Sequence, residues 1–172
     1  VVGNAQGWNS RVWTGMSGTT QERYDALFAN LTNNTAPTST SLVSSGLLIA
    51  KTALSNNYGQ TATGYLRTSE AGNYIFWANA DDAVGLRIYD TNGVKIMEIS
   101  DLSSGTMDNW SNGAKSTGVY LEANTDYRFE AAFVELTGDE YFQLGYNKLA
   151  GTYVTSVTSS GGTSTAGEEV TK

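Results

Sequence analysis

Tyr127, Phe129, Ala131 and Phe133 are spaced two apart, with Arg128, Glu130 and Ala132 between them, and this period of two places the first four on one face of a half-buried β-strand. Phe142, Leu144 and Tyr146 repeat the pattern toward the end of the chain. Further short strands are predicted over residues 64–68, 74–80, 86–89, 94–99 and 118–122. Asp90-Thr91-Asn92-Gly93 separates the third of these from the fourth, and Asn-Gly signals a hairpin because both residues tolerate positive φ. Turn signals recur every 8–12 residues or roughly so, which argues an all-β antiparallel sandwich or barrel.

One helix interrupts the strands. Thr19 followed by Glu22 forms a capping box, and Tyr24, Leu27, Phe28 and Leu31 then line one helical face. Before it, residues 7–13 read as extended, with Trp8 and Trp13 packing that segment onto the sandwich. After it, residues 32–41 hold the sole proline, Pro37, and read as a loop. Residues 155–172 are rich in Ser, Thr and Gly and poor in large apolar side chains, so they are expected to form a flexible linker. The expected organisation is one domain over residues 1–154 and that linker, a monomeric module of a larger multidomain chain.

The 172 residues include four Trp, ten Tyr and five Phe, enough for a packed core. A net charge of -7 argues against nucleic acid or an anionic membrane as partner, since both need a basic face. No apolar run reaches membrane-spanning length, so membrane insertion is not expected. With no histidine and no cysteine, Ser-His and Cys-His nucleophiles are excluded, as are most zinc sites and any disulfide scaffold. Paired carboxylates for glycoside hydrolysis could come from Glu98, Asp101, Glu122, Glu130, Glu135 and Glu140. Most of these alternate with apolar residues, the pattern of a solvated strand face, and no enzymatic activity is expected.

Asp81-Asp82 stands where the apolar strand 74–80 gives way to the strand at Leu86. Adjacent carboxylates repel, and a hard cation that prefers oxygen ligands would relieve them. A solvated acidic turn has the same composition, because Asp caps turns through local backbone hydrogen bonds. The pair alone leaves both readings open.

Several separated motifs in order resemble a known family. Asn57-Tyr58-Gly59 precedes Gly64-Tyr65-Leu66-Arg67-Thr68, then Gly72-Asn73-Tyr74-Ile75-Phe76-Trp77, the Asp pair, and Leu86-Arg87-Ile88-Tyr89. Leu121-Glu122-Ala123-Asn124-Thr125-Asp126-Tyr127 follows, and the series closes on Thr137-Gly138-Asp139-Glu140-Tyr141-Phe142. Over residues 42–147 this is similar to the fourteen-kilodalton protective-antigen (PA14) domain of bacterial toxins, glycosidases, yeast flocculins and large bacterial adhesins.

The resemblance implies a calcium ion held by Asp81 and Asp82 across a cis peptide, with a second loop spanning residues 135–141. In that loop it implies Asp139 as a side-chain donor and Thr137 and Tyr141 as carbonyl donors. On the sugar side the carboxylates of Asp81, Asp82 and Asp139 would accept hydroxyl hydrogens; Trp110, in a polar loop, and Tyr141, flanking the second loop, are the candidates to cover an apolar sugar face, with a core-anchoring role open for each. Trp77, in mid-strand, reads instead as core. Two departures bear on specificity more than on the metal: Ala83 stands where the family often has Gly, and the loop lacks the Asn of flocculin-type lectins. The implied function is a calcium-dependent lectin module of a secreted, cell-surface bacterial adhesin that binds glycans or polysaccharides. The alternatives are a structural spacer of the same fold and an accessory carbohydrate-targeting domain of a glycosidase.

Overall fold

Period-two segments pair side by side into two sheets facing one another. A computed structural model describes residues 7–43, 48–50, 56–103, 111 and 113–149. Trp110, the 155–172 segment and the boundary at 154 lie outside the described residues. Among the described residues the strands are β1 (Trp8–Thr14), β2 (Ser39–Val43), β3 (Leu48–Ala50), β4 (Tyr58–Leu66), β5 (Gly72–Asp81), β6 (Ala83–Tyr89) and β7 (Lys95–Asp101). They continue with β8 (Ala114–Lys115), β9 (Val119–Leu121), β10 (Tyr127–Glu135) and β11 (Tyr141–Lys148). One sheet runs β2-β1-β4-β10-β6-β7; the other runs β3-β11-β5-β8, with β9 also paired to β5. Every strand-to-strand pairing is antiparallel.

The expected face of β10 is the core. Tyr127, Phe129, Ala131 and Phe133 pack with Phe76, Ala78, Ala80, Phe142 and Leu144 from the opposite sheet. Phe133 joins the layers, meeting Tyr58 edge-on at 5.8 Å and stacking on Phe142 at 5.8 Å. Leu144 and Phe142 are buried as the alternation predicts, while Tyr146 is left 39% exposed.

The helix α1 (Thr20–Thr32) packs on the outside of the larger sheet. Its capping box forms as read: the Glu22 N–H donates to the Thr19 hydroxyl, and the Thr19 N–H donates to Glu22 Oε2 at 2.8 Å. Tyr24, Leu27 and Phe28 bury against Trp13, Ala83, Ala132 and Val134, with Leu31 partly buried beside them. Close approach requires bare backbone beneath: a Cβ on Gly59 would meet Leu27 Cδ2 at 2.6 Å, and one on Gly85 would collide with the Tyr24 ring. Thr19→Ala removes one of the two reciprocal bonds, and a loss of about 1 kcal/mol in chemical denaturation is expected.

Several boundaries differ from the sequence reading. The loop after α1 gives way to β2 at Ser39, whose exposed residues carry no alternation to betray an edge strand. β4 begins at Tyr58, six residues before the reading, because Gly59 and Gly64 interrupt its apolar pattern. At the hairpin only Gly93 is left-handed, with φ 80°, while Asp90 Oδ1 accepts from the Asn92 and Val94 N–H groups. Val94 is therefore turn rather than strand. Trp8 and Trp13 are buried as expected. Trp77 is also buried, but on the opposite face of β5 from Phe76: its indole N–H donates to Asn147 Oδ1 at 3.0 Å, and Lys115 Nζ lies 5.1 Å from the ring centre.

Candidate metal centre

β5 belongs to the smaller sheet and β6 to the larger, and Asp82 is the single residue between them. The chain therefore crosses from one sheet to the other at the Asp pair, and the Asp81–Asp82 peptide bond is cis. A second crossing, residues 136–140, returns from β10 in the larger sheet to β11 in the smaller. Strand register brings the two crossings to the same end of the sandwich: Asp81 pairs with Tyr141, and Ala83 with Val134.

Hydrogen bonds staple the crossings together. The Asp82 N–H donates to the Val134 carbonyl at 3.0 Å, and the Leu136 N–H donates to Asp82 Oδ2 at 2.7 Å. The loop is braced from behind as well. The Asn57 N–H donates to the Leu136 carbonyl at 2.9 Å, and the Gly138 N–H reaches Asn56 Oδ1 at 3.4 Å. Asn57 itself is left-handed, with φ 63°, and its side chain accepts from Arg23 Nη1 at 3.1 Å. Arg23 was not singled out from the sequence, yet it is buried and also bonds the carbonyls of Gly18 and Glu135.

Asp81 and Asp82 lie on the first crossing, Thr137 and Asp139 on the second, and Tyr141 at the start of β11, paired with Asp81. Asp81 and Asp82 are half-buried, whereas Thr137 and Asp139 are exposed on either side of Gly138, whose φ of 115° only glycine adopts readily. Tyr141 is buried, and its hydroxyl donates to Asn79 Oδ1 at 3.2 Å. Burial and the Asp81 charge push that phenol up to about 12. Its ring is thus occupied within the fold, and its backbone carbonyl is what it can offer the loop.

Glu135 and Glu140 depart from the solvated pattern read for the chain's carboxylates. Glu98 does pair with Arg87 and Lys95, and Glu130 with Arg128. Glu140, however, is 9% exposed and Glu135 is 0% exposed. Glu135 shares the parity of Phe133, so it points to the core face at the end of β10 that meets the Asp pair. Neither of its carboxylate oxygens has a hydrogen-bond partner. Burial, then the charges of Asp82, Glu140, Asp81 and Asp139, push its carboxyl up to about 7. Parity with the core residues was the available signal.

This end of the sandwich suits a hard cation: its donors are all oxygens, its charge is negative, and it contains an orphaned buried carboxylate. Among the described residues no three acidic side chains converge closely enough to hold an ion by themselves. Backbone carbonyls and external oxygens would have to complete the shell.

No protein-family model and no curated protein matches the chain. Solved structures match it in fold. The PA14 sugar-binding domain of an RTX adhesin gives a TM-score of 0.58 at 14% identity, over 84% of this chain and 90% of that one. The A domain of epithelial adhesin 6 from Candida glabrata, in complex with Galb1-3GlcNAc, gives 0.59 at 12% identity over 86% and 82%. The PA14 domain of the antifreeze protein MpAFP gives 0.59 at 15% identity over 83% and 81%. A β-glucosidase from Kluyveromyces marxianus matches 84% of this chain with only 16% of its own length, at a TM-score of 0.51 and 14% identity. The fold is therefore that of PA14 and epithelial-adhesin A domains, an all-β sandwich.

Proposed function

We propose that this chain is a non-enzymatic, calcium-dependent carbohydrate-binding module, displayed outside the cell as part of a larger bacterial adhesin. The observation that carries the reading is the meeting of the two sheet crossings, with the Asp81–Asp82 pair stapled through Asp82 to the end of β10 and the 136–140 loop. Asp81 and Asp82 would hold the ion from one crossing. Asp139, with the carbonyls of Thr137 and Tyr141, would hold it from the other. Calcium takes 6–8 oxygens, so a shallow site of this kind leaves positions for vicinal hydroxyls of a sugar. The Asp81, Asp82 and Asp139 carboxylates accept the hydroxyl hydrogens in charge-assisted bonds, which fixes sugar orientation. Trp110 is the remaining candidate to cover an apolar sugar face.

Support for glycans as partners comes from the sugar-binding RTX-adhesin and epithelial-adhesin domains of the same fold. The β-glucosidase, in which the matching region is a small fraction of the enzyme, favours a second reading as a carbohydrate-targeting accessory domain. A glycan array probed with and without calcium tests both. Calcium-dependent signal is expected on a restricted set of simple sugars, and EDTA should erase it; an empty array beside an intact calcium response would reduce the chain to a structural spacer.

A further inference from the structure

Glu135 is not required by the ligand set just given, yet it is the most confined charge-bearing group described in the molecule. Its side chain is closed off from solvent, and both carboxylate oxygens lack a donor. The nearby guanidinium of Arg23 is spent elsewhere, on Asn57 Oδ1 and on the carbonyls of Gly18 and Glu135 itself. Its two chain neighbours both bond Asp82: the Val134 carbonyl accepts from the Asp82 N–H, and the Leu136 N–H donates to Asp82 Oδ2. A buried carboxylate without donor or counter-charge is among the costliest arrangements a fold can hold, and such groups are found paired or at metals. β10 delivers Glu135 to the Asp81–Asp82 end, where a bound dication would offset its charge.

We propose that Glu135 belongs to the cation site as a buried counter-charge beneath the Asp pair, its negative charge left uncompensated by the protein and neutralised by the bound dication. The inference rests on the calcium reading of Asp81 and Asp82 and adds a residue that the ligand set does not contain. Glu135 acts through space on the ion, consistent with the absence of three converged acidic side chains among the described residues. It sets how strongly the site prefers highly charged ions, and it makes the ion-free protein less stable than it would be with a neutral group there.

The test compares wild type, Glu135→Gln, Glu135→Asp and Asp81→Asn/Asp82→Asn as full chains, stripped with chelator and held at pH 8. Calcium and terbium binding are measured by calorimetry, and melting is followed in EDTA and in calcium. Glu135→Gln is expected to weaken calcium by about tenfold or more, since a unit charge buried beside the site still acts on a dication through the low protein dielectric. Terbium, with three charges, should lose more than calcium does, a difference that a merely structural role would not produce. In EDTA the Gln variant should melt above wild type, and Glu135→Asp should keep calcium affinity closer to wild type than Gln does. Unchanged calcium affinity in Glu135→Gln, equal losses for the two ions, or a Gln variant that fails to fold in EDTA would each overturn the proposal while leaving the Asp-pair reading intact. A wild type that takes up neither ion would bring down the calcium reading itself.

Discussion

Asp81→Asn/Asp82→Asn is expected to lose the whole of the calcium response. At calcium a hundredfold above its dissociation constant, the wild type gains about 2.7 kcal/mol by mass action alone. For a domain of this length that corresponds to a rise in Tm of about 5–10 °C, reversed by EDTA. The double variant should melt at one temperature in both conditions and give no signal on calcium-dependent glycans. Asparagine keeps the shape of each side chain and the acceptor that Leu136 N–H uses at Asp82, so the staple between the crossings is retained. What it removes is charge. Two neutral amides bring one carbonyl oxygen each and no attraction for a dication, which separates ion binding from loop structure. A variant that still rises in calcium by the wild-type amount would place the ion elsewhere.

The sandwich was legible because its central strands alternate cleanly. Tyr127 to Phe133 specifies a face, and a slip by one residue would send that face to solvent. The helix announced itself through Thr19 and Glu22, a contact between near neighbours that needs no tertiary context. Short edge elements were not legible: β2, β3 and β8 acquire their conformation from pairing with β1, β11 and β5, and two-to-five-residue segments hold too little pattern to show it. Gly59 and Gly85 read as strand-weakening residues, yet their bare backbone admits Leu27 and Tyr24. At the candidate site the Asp pair and the loop around Gly138 were visible as motifs. Glu135 was misread because its strand was ended at Val134. One residue more would have put a carboxylate in line with Phe129 and Phe133, which is an anomaly visible from parity alone. Arg23 could not be found this way, since a charged residue on an otherwise exposed helical flank gives no sign of the loop it will brace.

Phe133→Ala is expected to be the most damaging single change among the core residues of β10. The side chain is 1% exposed, packs edge-on to Tyr58 within its own sheet and stacks on Phe142 across the sandwich. Truncation loses the transfer free energy of the ring and leaves a cavity whose walls are strands on both sides. Hydrogen-bonded strands cannot collapse inward, so the cost should fall near the upper end of the usual range, about 3–5 kcal/mol. Denaturant titration should show a lower midpoint with an unchanged slope, and Tm should fall by about 6–20 °C. Tyr120, 52% exposed, supplies the control: its replacement by alanine should stay within about 0.5 kcal/mol, because burial and not aromatic content decides the loss. The proposed calcium donors, at 81–82 and 137–141, lie outside the excavated layer. Calcium should therefore still raise the Tm of Phe133→Ala, by nearly the wild-type increment, from its lower starting point. Loss of that increment along with the ring would mean that the crossings are held in place by the core layer beneath them, rather than by their own staples through Asp82, Leu136 and Asn57.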